Sequence, residues 1–196
     1  MTEVDKIRAA SIGRSAQFLG EAAAEGQAPE AFLETLKGRL TFNFCISPDN
    51  DRPLELINKT NQFNLNGRRI DVADWKRHLQ TPRHFTLAID YADKFGPLGT
   101  ISVAAGYVDG TVASLTSWVL SCRAFARRVE HATLAVLAER LGVSRFSLEF
   151  AATEKNGPMR AFLDGLGVSY DGEKVLLSNP IASLPPLYHE REIHEH

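Results

Sequence analysis

The sequence contains few cysteines, no long apolar run and no excess of charge of either sign. Its two cysteines, Cys45 and Cys122, have neither the CxxC spacing of a metal or redox site nor the number needed for a disulfide framework. No apolar run approaches the roughly 20 residues that a membrane-spanning helix requires. The first residues, MTEVDKIRAASIGRS, are polar and lack the apolar core of a signal peptide. These absences predict a cytoplasmic protein that has no membrane partner.

The charge composition also limits the partners. The 22 Lys and Arg residues nearly balance the 24 Asp and Glu residues, which leaves a net charge of −2 among 196 residues. No global basic field is therefore available to attract nucleic acid. Any anion that the protein recognises must be held by a local group of side chains.

Composition and apolar spacing divide the chain into three parts. Residues 2–25 are rich in Ala, Glu, Arg and Lys and predict a helix, and a second helix is predicted to begin near Pro29. Residues 1–38 are therefore expected to be a helical extension or linker, 39–180 a domain, and 181–196 a tail. Histidine and glutamate dominate the end of that tail, which we expect to fray and to hold no metal.

Alternation and turn signals predict an α+β fold for the domain. The pair Asp109-Gly110 is typical of a hairpin, since both central positions of the favoured turn need positive φ. Strands are predicted at 39–46, 84–91, 99–108, 111–120, 145–150 and 173–177. Helices are predicted from Pro53 to Asn61, from Arg123 to Leu141 and after a cap at Asn156. This order predicts helices packed on a mainly antiparallel sheet.

The segment TNQFNLNGRR, residues 60–69, concentrates amide side chains. Asn61, Gln62, Asn64 and Asn66 surround two apolar residues. Composition alone leaves two interpretations open. The amides line a polar ligand site, or they satisfy backbone groups of a turn around Asn66-Gly67.

The predicted order β-β-β-α-β-α-β resembles the GNAT acyltransferase fold. In that fold the loop Arg/Gln-x-x-Gly-x-Gly/Ala precedes a long helix and offers backbone N–H groups to a pyrophosphate, which implies coenzyme A as cofactor. The matching residues are Arg123, Ala126 and Arg128, and the two last replace glycines of the pattern Arg-x-x-Gly-x-Gly. The replacements leave two alternatives: Arg128, beside Arg127, grips a phosphate, or the site receives phosphopantetheine from a carrier protein. Asn156 matches a position that contacts pantetheine in the GNAT fold.

Four motifs give a more specific resemblance. TNQFNLNGRR, DKFGPLG, LSCRAFARRVE and EKNGPMRAFLDGLGV resemble, in this order, the carboxy-terminal GNAT-like domain of the FkbH-like family. That family joins a haloacid-dehalogenase-type phosphatase domain to this domain. It is associated with moving the glyceryl group of 1,3-bisphosphoglycerate, after loss of phosphate, to an acyl carrier protein, including for polyketide extender units. The chain resembles only the second half, so the implied partners are an acyl carrier protein and a separate phosphatase domain.

The resemblance implies that Cys122 carries the acyl group as a thioester. A helix amino terminus and nearby arginines would favour the nucleophilic thiolate. Without the resemblance, the residues favour a buried structural thiol.

Other residues are implied in substrate binding or proton transfer. Glu130 is expected to be a catalytic residue. The amides of Asn61, Gln62 and Asn64 are expected to bind a glyceryl hydroxyl or carbonyl, and Asp93 in DKFG is expected to bind substrate as well. A fold-stabilising cap is the alternative for Asp93. Two further functions stay open: a coenzyme A-dependent N- or O-acetyltransferase, and a noncatalytic domain that docks a carrier protein.

Overall fold

A nine-stranded mixed sheet organises the residues that the computed structural model describes, which are 30–171 and 174–194. The strands are β1 Arg39–Asn43, β2 Phe63–Asn64, β3 His84–Asp93, β4 Gly96–Asp109, β5 Val112–Leu120, β6 Arg145–Glu149, β7 Ser169–Asp171, β8 Lys174–Ser178 and β9 Glu190–His194. They lie in the order β7-β8-β6-β5-β4-β3-β1-β9, and β2 pairs with β5. The long antiparallel strands β3, β4 and β5 form the centre, as their alternation predicts.

Helices cover both faces of this sheet. They are α1 Glu30–Leu36, α2 Arg52–Lys59, α3 Val72–Gln80, α4 Val129–Leu141 and α5 Gly157–Gly165, with 3₁₀ turns at Cys122–Ala124 and Pro180–Ser183. Successive β5 residues point to opposite faces: Trp118 packs in the core that contains α4 and α5 residues, and Val119 packs with residues of α2 and α3. The α+β architecture with helices on a mainly antiparallel sheet is confirmed.

The helix predicted from Arg123 begins instead at Val129. Ala126 and Arg128 have φ values of 60° and 56°, which lie outside the right-handed helical region. The intervening chain forms a short 3₁₀ turn and then a loop. Cys122 is therefore separated from the helix terminus that was expected to lie beside it.

The sequence prediction also missed α3, β2 and β7. Only Trp75 is buried among the residues of α3, so the apolar period of that helix is weak. Its start is nevertheless well defined, because the Asp71 carboxylate accepts a hydrogen bond from the Asp74 N–H at 2.8 Å. The helix predicted for residues 2–25 lies outside the described residues.

The prediction of a frayed tail is wrong for Glu190–His194. This segment is β9, which pairs in parallel with β1 over its whole length. Backbone bonds from Glu190 N–H to Gly38 O at 2.9 Å and from Phe44 N–H to His194 O at 3.0 Å close its two ends. Pairing satisfies the backbone groups of β1 that would otherwise form an open sheet edge.

Candidate active site

An open cleft of about 710 Å³ brings together four of the residues singled out in the sequence. They are Cys122 and Arg123, from the turn after β5, and Asn61 and Gln62, from the loop after α2. The volume lies within the usual range for small-molecule sites. The structure thus juxtaposes the thiol and two of the amides.

The thiol of Cys122 is exposed, so the interpretation as a buried structural cysteine is wrong. Cys122 begins the 3₁₀ turn directly after β5. Beside it, the Arg123 Nε donates to the Ser121 Oγ at 3.2 Å. A ligand that enters the cleft can therefore reach the sulfur atom.

Asn61 is fixed at the cleft by Arg69. The Arg69 Nη1 atom donates to the carbonyl oxygens of Ile57 and Thr60, both at 3.1 Å, and Nη2 donates to the Asn61 Oδ1. One guanidinium thus satisfies the carbonyl end of α2 and orients an amide of the site. In the sequence, Arg69 is only the last residue of TNQFNLNGRR, and nothing there predicts this role.

Asp93 and Arg127 form a buried ion pair away from the lining of the cleft. Their side chains are 0% and 3% exposed, and Arg127 Nη2 lies 3.6 Å from Asp93 Oδ2. The other Asp93 oxygen accepts from the Phe95 N–H at 2.9 Å, and the Arg127 Nη1 donates to the Arg123 carbonyl at 2.8 Å. This pair supports the turn that carries Cys122.

Ala126 and Arg128 lie in the loop that the GNAT resemblance assigns to pyrophosphate. The Arg128 guanidinium donates to the Pro186 carbonyl at 2.8 Å and to Glu30 at 3.2 Å, and it lies over the Tyr188 ring. Ala126 packs with the apolar side of α1. Arg128 thus joins α1 and the segment before β9 to the loop.

Glu130 lies in the first turn of α4 and does not line the cleft. Its carboxylate is 3.4 Å from the Nδ1 of His131. Nearby, burial lowers the pKa of His189 to about 4, and the charge of Arg127 acts in the same direction while Glu130 opposes it. His189 is therefore neutral at physiological pH.

The segment 63–66 fills the space where β5 and β6 separate. These strands pair in parallel only from Val112↔Arg145 to Leu115↔Leu148. Beyond that point the Asn66 Nδ2 donates to Thr116 O at 2.9 Å and to Glu149 O at 3.1 Å. The backbone of the gap is thus satisfied by the protein itself.

Asn64 and Asn156 hold this segment in place. Asn64 donates to Thr60 O at 2.9 Å, and its Oδ1 accepts from the N–H groups of Asn66 and Gly67. Asn156, which is 1% exposed, donates to the carbonyls of Asn64 and Ala151 at 3.0 and 2.8 Å. Its Oδ1 accepts from Thr153 N–H at 2.8 Å, and its side chain makes no cap bond to α5. Both amides are used inside the fold.

Basic residues that the sequence analysis did not select also line the cleft. Arg52 and Lys59 come from α2, Lys155 comes from the loop before α5, and Glu154 is the acidic residue of the lining. The seven-residue spacing of Arg52 and Lys59 places them on one helical face and was a usable signal.

Within the described residues, no group of three or more His, Cys, Asp or Glu side chains is arranged to hold a metal ion. No helix of the described part is long and apolar enough to cross a membrane.

Solved structures with the same fold include acetyltransferases. The ribosomal-protein-S18-alanine N-acetyltransferase from Escherichia coli matches with a TM-score of 0.50 and 14% identity, over 71% of this chain and 94% of that one. A protein ascribed to the GNAT acetyltransferase family from Desulfovibrio desulfuricans matches with a TM-score of 0.52 and 14% identity, over 70% and 96%. No protein-family model matches the chain, and no curated protein sequence matches it significantly. The fold is that of the GNAT acetyltransferases, as the element order predicts, and the FkbH-like assignment stays a prediction.

Proposed function

We propose that this chain transfers an acyl group between the phosphopantetheine thiol of an acyl carrier protein and Cys122. A glyceryl group is the first choice, because the four ordered motifs resemble the FkbH-like family. The observation that carries the proposal is the exposed thiol of Cys122 in one cleft with the side chains of Asn61 and Gln62. A thiol at this place is accessible to a thioester, and the amides offer donors and acceptors to a small polar acyl group.

In the proposed step the Cys122 thiolate attacks the thioester carbonyl carbon. A new C–S bond to Cys122 forms, the C–S bond to pantetheine breaks, and the pantetheine thiolate takes up the proton that Cys122 lost. One thioester replaces another, so the exchange runs in both directions without an external energy source. Asn61, oriented by Arg69, and Gln62 bind the hydroxyl or carbonyl oxygens of the acyl group.

The remaining residues of the predicted site receive supporting roles in this proposal. Asn64 and Asn156 lock the segment between β5 and β6, and Asp93 with Arg127 supports the turn of Cys122. Arg128 joins α1 to the loop that contains Ala126, and Glu130 lies beside His131. Among the residues that the GNAT resemblance assigns to the cofactor, Arg123 lines the cleft, and we propose that it contacts the ligand.

The second candidate is a coenzyme A-dependent N- or O-acetyltransferase, which is favoured by the likeness of the fold to acetyltransferases. Direct transfer from acetyl coenzyme A to an acceptor needs no cysteine nucleophile. Turnover of acetyl coenzyme A that survives replacement of Cys122 would therefore favour this candidate. Carrier binding without any transfer would favour a docking domain instead.

The first experiment is intact-protein mass spectrometry after mixing the chain with glyceryl-loaded acyl carrier protein. We expect one glyceryl adduct on the unmodified chain and none on Cys122→Ala. The matched control is Cys45→Ala, which removes the other exposed thiol and is expected to keep the adduct. Equal adducts on the unmodified chain and on Cys122→Ala, or no adduct on a folded chain beside a still loaded carrier, would contradict the proposal.

A further inference from the structure

The cleft around Cys122 carries an excess of positive charge that the acyl group itself does not explain. Arg52, Lys59, Arg123 and Lys155 line it, against Glu154 alone among acidic side chains. A glyceryl group is neutral, so it carries no negative charge for four cations to bind. Because the net charge of the chain is −2, this basic group is a local feature and not part of a general field.

Three of these cations come from two elements that the fold holds in place. Arg52 and Lys59 lie seven residues apart on α2, whose carbonyl end is satisfied by Arg69. Lys155 lies in the loop before α5, which is held by the buried side chain of Asn156. An anion bound by both groups would therefore meet positions that the fold already fixes, which lowers the cost of ordering the site.

Two of the cations have only a weak internal partner. Glu55 Oε2 lies 3.4 Å from Arg52 Nη1 and 3.3 Å from Lys59 Nζ, and all three side chains are substantially exposed. Exposed pairs of this kind contribute little to stability and exchange readily with other anions. A phosphate can therefore replace Glu55 as the partner of these side chains at small cost.

The space between β5 and β6 is closed to a pantetheine arm. Segment 63–66 occupies it, the Leu65 N–H donates to Trp118 O at 2.9 Å, and the Leu65 carbonyl accepts from Ala151 N–H at 3.2 Å. The backbone groups that an extended arm would pair with are already bonded. An arm that delivers its sulfur to Cys122 must lie in the open cleft, where the basic side chains are.

We infer that Lys59 and Lys155, with Arg52, bind the phosphate of the phosphopantetheine arm while its thioester reaches Cys122. This inference rests on the proposed function for the identity of the ligand. Phosphate accepts charge-assisted hydrogen bonds from several cations at once, which suits basic side chains on two sides of a cleft. The phosphate of a carrier-bound arm and that of coenzyme A share this chemistry.

A protection assay tests the site without requiring acyl transfer. In a Cys45→Ala background, iodoacetamide alkylates Cys122, and the rate is measured with S-methyl-4′-phosphopantetheine or S-methylpantetheine present. We expect the phosphorylated compound to protect at about tenfold lower concentration, because it alone gains the charge-assisted contacts. Lys59→Gln combined with Lys155→Gln should abolish this preference, and Lys59→Arg combined with Lys155→Arg should retain it.

The matched control is Lys76→Gln, which removes an exposed lysine of α3 that does not line the cleft and should keep the preference. Glu55→Gln should increase it, because Arg52 and Lys59 lose their competing carboxylate. Equal protection by both compounds, no protection by either, or a preference that survives the double Gln variant would overturn the inference.

The same assay separates the two sources of the arm. Stronger protection by an S-methylated holo carrier protein than by S-methyl coenzyme A supports a carrier-bound arm, and the reverse order supports free coenzyme A at the same phosphate site. A phosphate preference without any acyl adduct on Cys122 would keep the site and reject the proposed function. An adduct without the preference would reject the phosphate site alone.

Discussion

At the residue scale, Arg127 links the interior of the protein to the turn that presents Cys122. Its guanidinium is buried between the Asp93 carboxylate and the Arg123 carbonyl, and it lies over the Tyr91 ring at 5.3 Å. A buried charge is tolerated only when it is paired and hydrogen-bonded. The conformation of the turn therefore depends on a carboxylate that does not touch the cleft.

Replacing Asp93 by Asn tests this dependence. The change keeps the shape but removes the charge that compensates Arg127, and breaking a buried pair in this way costs about 3–5 kcal/mol. We expect a loss of this size in the free energy of unfolding, measured by urea denaturation. We also expect slower alkylation or acylation of Cys122 in the remaining folded protein, because the Arg123 carbonyl loses a well-placed donor.

The control is Asp74→Asn, which makes the same change in the exposed ion pair between Asp74 and Arg77. An exposed pair of this kind contributes about 0–1 kcal/mol. Similar losses for the two variants would show that Asp93 and Arg127 form no special support.

At the element scale, segment 63–66 acts as an extra strand between β5 and the chain that follows β6. Its antiparallel pairing with β5 joins Phe63 to Leu120 and Asn64 to Val119. Phe63 also makes an edge contact with Trp118, with ring centroids 5.6 Å apart. The segment is therefore part of the core, and the amides within it serve the backbone more than a ligand.

Asn156→Asp tests how firmly this element is held. The buried Asn156 Nδ2 donates to two carbonyls, so a carboxylate in its place faces two acceptors and can donate to neither. We expect a loss of roughly 3 kcal/mol in the free energy of unfolding. Amide hydrogen exchange at Leu65, which is bonded to Trp118 O, should become faster than in the unmodified chain.

Asn50→Asp is the matched control, since the Asn50 side chain is exposed and only accepts a bond, from the Arg52 N–H at 3.1 Å. Aspartate can accept that bond equally well, so a change under about 0.5 kcal/mol is expected. An unaltered stability and exchange rate in Asn156→Asp would refute the locking role.

At the scale of the whole molecule, the carboxy-terminal segment adds an edge strand to the sheet and carries a half-buried histidine. His189 directly precedes β9, its ring makes an edge contact with Tyr91, and Glu130, Arg127 and Arg128 are the charged groups that act on it. Burial lowers the pKa of His189 to about 4, from 6.5. The folded chain therefore resists protonation of this residue, whereas the unfolded chain does not.

This difference predicts an acid-sensitive fold. Because the pKa of His189 is lower in the folded chain, its full contribution to the free energy of unfolding is present above pH 6.5. This contribution is lost as the pH is lowered toward 4, which removes roughly 2–4 kcal/mol. Thermal unfolding at several pH values checks this slope. His189→Gln should flatten it, while part of the slope remains because burial also lowers the pKa of His78. The same slope in both proteins would exclude His189 as its source.

The sequence predicted the parts of the fold that rest on local periodicity. The hairpin at Asp109-Gly110 and the strands on either side follow from turn chemistry and alternation, and the α+β class follows from element order. It did not predict α3, which buries only Trp75, or β9, whose Glu and His residues are polar. These elements form because they pair or pack with distant parts of the chain.

The same division applies to the site. Sequence alone determined that the protein has a reactive residue type in a distinctive motif, an amide-rich segment, and no overall charge to attract a polyanion. Only the tertiary structure decided that Cys122, Asn61 and Gln62 share a cleft, and that Asp93, Arg127 and Asn156 lie behind it. The physical reason is that exposure and pairing depend on contacts between residues far apart in sequence. In the sequence, nothing distinguishes an arginine that becomes buried from one that stays exposed.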